Sequence, residues 1–127
     1  MIVVTRFDVP ESDATAFLPQ AQAALAAFAA RPGFVRGRVG RAADDPTAWL
    51  LTTEWEGVGA YRRSLSAYDV KLHAAPLLGR GRDEPSAFEV LHAEDTAGPA
   101  TTAPSARAAD AATSRVGESS GPASPQR

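Results

Sequence analysis

The chain has 127 residues, a net charge of −2, 44% hydrophobic residues and no cysteine. The nearly balanced charge excludes a strongly basic nucleic-acid binder or polybasic membrane binder, and the lack of cysteine excludes disulfides, thiolate nucleophiles and zinc fingers. The longest apolar stretch, residues 21–30, is about half of what a membrane span needs, and no targeting signal stands at the N-terminus, so we expect a cytoplasmic protein without a membrane partner.

Bulky apolar residues are concentrated in residues 1–92. All nine aromatic residues lie between Phe7 and Phe88, and Val116 is the one bulky apolar residue of residues 93–127. A segment of Ala, Ser, Thr, Pro and Gly buries too little surface to offset the entropy of ordering it. The sequence therefore predicts a folded domain over residues 1–92 and a disordered tail over residues 93–127.

The first half of the domain reads as strand, helix and strand. Residues 2–9 are β-branched and end at Pro10, which predicts a strand. Ser12 or Asp13 can cap a helix that ends at residues 31–33, and Pro19 predicts a kink or a late start. The apolar face of this helix at helical spacing is Phe17, Ala21, Ala24, Leu25 and Phe28. Residues 34–41 alternate again and predict a second strand.

The second half repeats the pattern. After a turn at residues 44–46, residues 48–55 form the strongest predicted strand, which is followed by a predicted helix over residues 58–74 and a last strand over residues 87–92. In the strongest strand one face carries Trp49, Leu51, Thr53 and Trp55, and the other carries Leu50, Thr52 and Glu54. The helix carries a stripe of Tyr61, Leu65, Tyr68 and Leu72.

The element order β-α-β-β-α-β predicts an α+β, ferredoxin-like fold, with a four-stranded antiparallel sheet and both helices on one face. The helices cover one face of the sheet, yet the strands carry apolar residues on both. Burial of the second face against another copy would solve this, and a small domain gains much from it. We therefore predict a homodimer packed sheet to sheet.

Four segments resemble the antibiotic biosynthesis monooxygenase (ABM) family: IVVTRF in the first strand, ARPGFVRG at the helix exit, TEWE leading into Ala60 and Tyr61, and YDVKLHAAPLL over residues 68–78. The resemblance implies a dimeric α+β barrel with a small cavity in each protomer for a flat aromatic, quinol or polyketide-like molecule. It also implies a cofactor-independent monooxygenase that needs no metal or flavin and takes molecular oxygen as co-substrate.

Such chemistry needs a base or hydrogen-bonding group near the acidic carbon of the substrate. His73 is the first candidate because its ordinary pKa suits proton transfer at neutral pH, and Asp69 precedes it by one helical turn. The alternative is a solvent-exposed pair. Glu54 is a third candidate if it is buried in the cavity, where its pKa would rise; a salt bridge to a strand arginine is the alternative.

Five further residues are candidates for substrate binding. Tyr61 and Tyr68 either line the cavity or pack in the core, and Trp49 and Trp55 either stack on a planar ligand or pack the sheet. Arg38, and similarly Arg6, either stabilises an enolate or lies outward on its strand.

Two other functions remain open. The haem-degrading branch of the fold resembles a pattern with an asparagine in the first strand and a tryptophan in the second helix, and this chain has neither, so haem degradation is disfavoured. The second possibility is a non-catalytic dimeric barrel that binds a small ligand. The oxygenase and the non-catalytic barrel differ in whether Asp69, His73, Glu54 and Tyr68 converge on an apolar cavity, as the oxygenase requires.

Overall fold

The computed structural model describes residues 1–102. Its elements are β1 (Ile2–Asp8), a 3₁₀ turn (Glu11–Asp13), α1 (Ala14–Ala29), β2 (Phe34–Ala42), β3 (Asp45–Trp55), α2 (Val58–Ser64), α3 (Tyr68–His73), α4 (Ala75–Leu78), β4 (Ala87–Phe88), β5 (His92–Asp95) and β6 (Gly98–Thr102). The four strands β1 to β4 form one antiparallel sheet in the order β2-β3-β1-β4. The predicted α+β, ferredoxin-like arrangement is confirmed.

One face of the sheet is buried under the helices and the other lies open. In β1, Val3 and Phe7 are buried, whereas Arg6 and Asp8 point to the exposed side. The central pairing of β1 with β3 runs from Ile2 opposite Glu54 to Asp8 opposite Ala48. The predicted alternation in β3 is confirmed, because its buried residues are Trp49, Leu51, Thr53 and Trp55. Strand periodicity therefore assigns each side chain of β1 and β3 to one face.

The first helix lies across the covered face. Its buried residues are Phe17, Ala21, Ala24, Ala27 and Phe28, and the three alanines let the helix approach the sheet closely. The helix begins at Ala14 and runs through Pro19, so the late start is wrong. Both Pro19 and Thr15 are exposed, so the Thr15 carbonyl that Pro19 cannot bond lies on the solvent side. Asp13 is the N-cap residue, but its side chain makes no capping bond.

The turn from α1 into β2 rests on a glycine. Gly33 has a positive φ of 86°, which a residue with a Cβ rarely adopts. A Cβ at this position would also collide with the Cβ of Ala60 in α2. The turn predicted at residues 31–33 therefore packs directly on the start of α2 and fixes the distance between α2 and the sheet.

The second helical region differs from the prediction of one helix over residues 58–74. It consists of α2, α3 and α4, and Ala67 has extended backbone angles before α3 restarts. Because helical spacing is not kept across this break, the predicted stripe is wrong beyond Leu65: Tyr68 is 75% exposed and Leu72 51%. The buried residues are instead Val70, Ala74 and Leu77.

The C-terminal part also differs from the prediction. β4 pairs with β1 only at Ala87 and Phe88, which lie opposite Val3 and Ile2. The predicted strand over residues 87–92 is therefore shorter. β5 and β6 then form a separate two-stranded hairpin in the segment predicted to be disordered, and the Asp95 side chain accepts a bond of 3.0 Å from the Ala97 N–H in its turn. The rest of the predicted tail, residues 103–127, lies outside the described residues.

Candidate functional site

A small cavity lies between the covered face of the sheet and the helices. β1 and β3 supply its floor, α1 and α2 one wall, and α4 its far end. Its lining residues are Val3, Thr5, Phe28, Leu51, Thr53, Tyr61 and Leu78. The space open to the centre of a water molecule is about 10 Å³, which is room for about one water. A substrate therefore needs side chains at the rim to move, and the half-buried Tyr61 and Leu78 are the lining residues able to do so.

The cavity has hydroxyl groups set in an apolar wall. Thr5 and Thr53 are buried and lie on adjacent strands, with Thr5 opposite Leu51 and Thr53 opposite Val3. The Thr53 Oγ1 accepts a hydrogen bond of 2.8 Å from Trp55 Nε1, which leaves the threonine O–H available to donate. Hydroxyl donors in a water-poor cavity can stabilise a developing negative oxygen.

Behind this wall stands a cluster of aromatic rings. Trp55 meets Phe28 edge to face with 5.7 Å between ring centroids, meets Phe34 in the same way at 5.4 Å, and lies 5.6 Å from Tyr61. Tyr61 thus packs between the core and the cavity, whereas Trp55 supports the cavity through Thr53. Edge-to-face packing of this kind holds the rings in fixed positions.

Trp49 lies elsewhere, at the other end of the covered face. It is buried, meets Phe17 edge to face at 5.1 Å, and carries the Arg41 guanidinium over its ring at 5.2 Å. It lines a second, open groove between the start of α1 and strands β2 and β3. The groove beside Trp49 and the first cavity therefore have no lining residue in common.

The structure does not bring the predicted catalytic residues together. Asp69 and His73 are exposed on α3, and their side chains form no ion pair with each other. Tyr68, at the start of the same helix, is also exposed. The cause is the break before α3, which turns Val70 instead towards the core. The solvent-exposed alternative for Asp69 and His73 describes their placement.

Glu54 lies on the opposite side of the sheet from the cavity, so its predicted burial there is wrong. Strand alternation turns it to the open face, where its Oε1 lies 3.7 Å from Arg36 Nε. Arg38 is exposed on the same face, opposite Thr52. Arg6 also lies there and makes a two-bond contact with Glu84 at 2.7 and 3.0 Å. The alternative of a salt bridge to a strand arginine is the one found for Glu54.

Ion pairs hold the loop after α4 against β1. The hydrogen bond from Arg6 holds the pKa of Glu84 below its ordinary value, and the bond from Arg82 does the same for the pKa of Asp8. The Arg82 N–H also donates to the Arg6 carbonyl at 2.8 Å. Near the start of β1, burial lowers the pKa of the Met1 amino group. None of these groups lines the cavity.

Thr5 and Thr53 are site residues that the sequence analysis missed. Each falls on the covered face by strand alternation, between apolar neighbours two positions away on the same strand. A threonine at such a position is buried with its hydroxyl, and this pattern is the sequence signal that could have identified Thr5 and Thr53.

In residues 1–102, no group of three or more His, Asp or Glu residues is arranged to hold a metal ion. No helix among these residues is both long and apolar enough to cross a membrane.

Two solved structures share the fold. A conserved protein from Methanosarcina mazei Go1 has 18% sequence identity and a TM-score of 0.56, over 67% of this chain and 83% of that chain. A protein from Nitrosomonas europaea, provisionally named an antibiotic biosynthesis monooxygenase, has 16% identity and a TM-score of 0.54, over 67% and 88%. SnoaB, a cofactor-independent oxygenase from Streptomyces nogalater, has 25% identity and a TM-score of 0.49, over 64% and 82%.

No curated protein matches this chain in sequence. The family model for antibiotic biosynthesis monooxygenase matches residues 1–75, which is more than half of the 127 residues and spans every strand and helix from β1 to α3. The resemblance inferred from the four sequence segments is thereby confirmed, and the chain belongs to the antibiotic biosynthesis monooxygenase family.

Proposed function

We propose that the chain is a cofactor-independent monooxygenase that oxidises a small aromatic, quinol or polyketide-like substrate in the cavity beneath α1 and α2. Molecular oxygen is the co-substrate, and no metal or flavin takes part. The observation that carries the proposal is the set of three hydroxyl-bearing residues, Thr5, Thr53 and Tyr61, within an otherwise apolar lining. Membership of the family supports it.

The proposed reaction begins with an acidic carbon of the substrate, such as the methylene of an anthrone, which loses a proton to give an enolate. The enolate carbon adds oxygen, and the resulting peroxide loses water, so one oxygen atom becomes a carbonyl and the other leaves as water. Hydroxyl donors stabilise the enolate oxygen, and the apolar wall excludes water.

The lining dictates how the proton is removed. Among the described residues that line the cavity, none carries a carboxylate or an imidazole. The substrate must therefore be acidic enough to lose its proton to water when its oxygen accepts a hydrogen bond from Tyr61 or a threonine. His73 with Asp69 is the competing source of a base, which would require the substrate to react at the surface of α3.

Oxygen uptake with anthrones and hydroquinones tests this directly. The Tyr61→Phe variant keeps the ring that packs on Trp55 and removes the hydroxyl, and we expect turnover to fall about 10²-fold, as when one oxyanion donor is lost. Tyr68→Phe is the matched control, because Tyr68 is 75% exposed on α3, and it should leave turnover unchanged.

The His73→Ala variant separates the two sites. Turnover that survives Tyr61→Phe and fails in His73→Ala would move the reaction to α3. No turnover above buffer with any of these substrates would contradict the proposed monooxygenase function. The lack of a carboxylate or an imidazole among the described lining residues would then favour the second candidate function, a non-catalytic dimeric barrel that binds a small aromatic molecule. In either case we propose a homodimer through the open face of the sheet.

A further inference from the structure

The groove beside Trp49 is separate from the proposed reaction site. The first turns of α1 form one side, with Leu18 and Pro19, and β2 and β3 form the other, with Val39, Arg41 and Trp49. Its volume of about 560 Å³ is within the range of sites for small organic ligands. It lies on the helix side of the sheet, so it is also distinct from the open face through which we propose dimerisation.

The apolar part of the groove is exposed. Leu18 is 40% exposed and lies on the solvent side of α1, away from its five buried residues. Leu18 and Pro19 face Val39 across the groove. This wall suits the hydrocarbon part of a ligand, because it offers apolar surface that no residue of the described chain covers.

The polar part consists of Arg41 and the indole N–H of Trp49, neither of which bonds to an acceptor among the described residues. Arg41 has no ion pair within residues 1–102, and its guanidinium stacks on Trp49 at 5.2 Å, which leaves its edge donors available. Trp49 is 8% exposed, and its Nε1 is buried with no hydrogen-bond acceptor among the described residues. A buried donor without an acceptor costs free energy.

The charges near the groove decide where an anion would sit. Glu11 and Asp13 precede α1 and oppose an anion at the helix N-terminus. Among the described lining residues of the groove Arg41 is the cationic one, and a stacked guanidinium can still bind a carboxylate with two parallel hydrogen bonds. An anionic head at Arg41 leaves the rest of the ligand against Leu18, Pro19 and Val39.

We propose that this groove binds a small amphiphilic carboxylate, with its acid group on Arg41 and its apolar body between α1 and β2. Octanoate is the probe, and octanamide is its uncharged counterpart of equal length. Because the chain has two tryptophans, the Trp55→Phe background makes Trp49 the sole tryptophan, which is excited selectively over the two tyrosines. Saturable change of Trp49 emission measures binding, and calorimetry on the wild-type chain checks the affinity.

We expect octanamide to bind about tenfold more weakly than octanoate, which corresponds to one charge-assisted hydrogen-bonded contact. Arg41→Gln should weaken octanoate about tenfold and leave octanamide nearly unchanged, and Arg41→Lys should lie between. Arg63→Gln, an exposed arginine of α2 outside the groove, is the matched control and should not change either affinity.

Equal affinity for the two probes, or octanoate affinity unaffected by Arg41→Gln, would overturn the proposal. A change in particle mass in Leu18→Ser would also overturn it, because a second copy of the chain would then occupy the groove. The binding measurement needs no oxygen turnover, so its result does not depend on whether the oxygenase reaction takes place.

Discussion

The two faces of the sheet are built from the same strands but are stabilised in different ways. On the covered face, Phe7, Phe28 and Trp55 are buried, and neighbouring rings meet edge to face at 5.1 to 5.7 Å. On the open face, Ile2, Val4 and Leu50 are only half-buried and lie among ion pairs. The first face is mostly covered by helices of the same chain, whereas the second mixes apolar side chains with charge and is not covered by any helix of the described chain.

The two faces contribute differently to stability and to assembly. The covered face stabilises the single chain through apolar burial, and the cavity lined by Thr5 and Thr53 is small. The open face offers a partner both apolar contact and arginine and carboxylate side chains. Substitutions on the two faces should therefore have different outcomes, one on folding and the other on association.

The largest expected effect is on the covered face. Trp55→Ala removes a side chain that is 3% exposed and packs on Phe28 and Phe34, so we expect a loss of about 3–5 kcal/mol in the free energy of unfolding, measured by urea titration. Leu50→Ala, on the other face of β3, is the comparison and should cost less than about 2 kcal/mol in the separated chain.

The stability of the two variants should depend differently on protein concentration. If a second copy covers Leu50, the cost of Leu50→Ala should grow with concentration, whereas that of Trp55→Ala should show no such growth. Equal costs for the two variants at every concentration would mean that the faces do not differ as the burial indicates.

Strand periodicity explains why the sheet could be predicted. Trp49, Leu51 and Trp55 share a face in any regular strand, so their common burial followed from sequence spacing alone. The same alternation also assigned Glu54 to the opposite face from Trp55. What it did not give was the side that the helices cover, which decides whether Glu54 faces a cavity or solvent.

Helical spacing failed where the chain left helical angles. Tyr61 lies before the break at Ala67 and packs on the core, whereas Tyr68 lies after it and is exposed. No glycine or proline marks this break in the sequence, since residues 65–67 read Leu-Ser-Ala. The candidate site on α3 rested on unbroken spacing, so its geometry could not be predicted from the pattern.

The second prediction concerns association through the open face. Val4→Asp places a carboxylate at the centre of that face, opposite Thr52, and an unpaired charge buried in an interface costs several kcal/mol. We expect light scattering to show a dimer for the wild type and a monomer for the variant, with unchanged circular dichroism. Leu72→Asp, at an exposed leucine of α3, is the control and should stay dimeric.

A wild-type monomer at micromolar concentration would contradict the proposed dimer, because no second copy would then cover the open face. The mixture of apolar and charged groups there would then be an ordinary solvent-exposed surface. Dissociation by Leu72→Asp instead of Val4→Asp would place the interface on the helices.

The smallest expected effect comes from the ion pairs of the open face. Bonds from Arg82 and Arg6 lower the pKa of Asp8 and Glu84 from their ordinary values of 3.8 and 4.5. A carboxyl whose pKa is lower in the folded chain stabilises it above the ordinary pKa, and this contribution is lost as pH falls through the folded pKa. Thermal melts should therefore show Tm decreasing below about pH 4.5.

The Asp8→Asn, Glu84→Gln double variant should flatten this acid decline, whereas Asp83→Asn, in the same loop but outside the ion pairs, should retain it. In a single chain both pairs are exposed and the effect should shrink with added salt. If a second copy covers them, screening by salt is weaker and the decline should persist at high ionic strength. A double variant with the wild-type acid decline would show that these pairs contribute nothing to folding, and the open face would then act through its apolar residues alone.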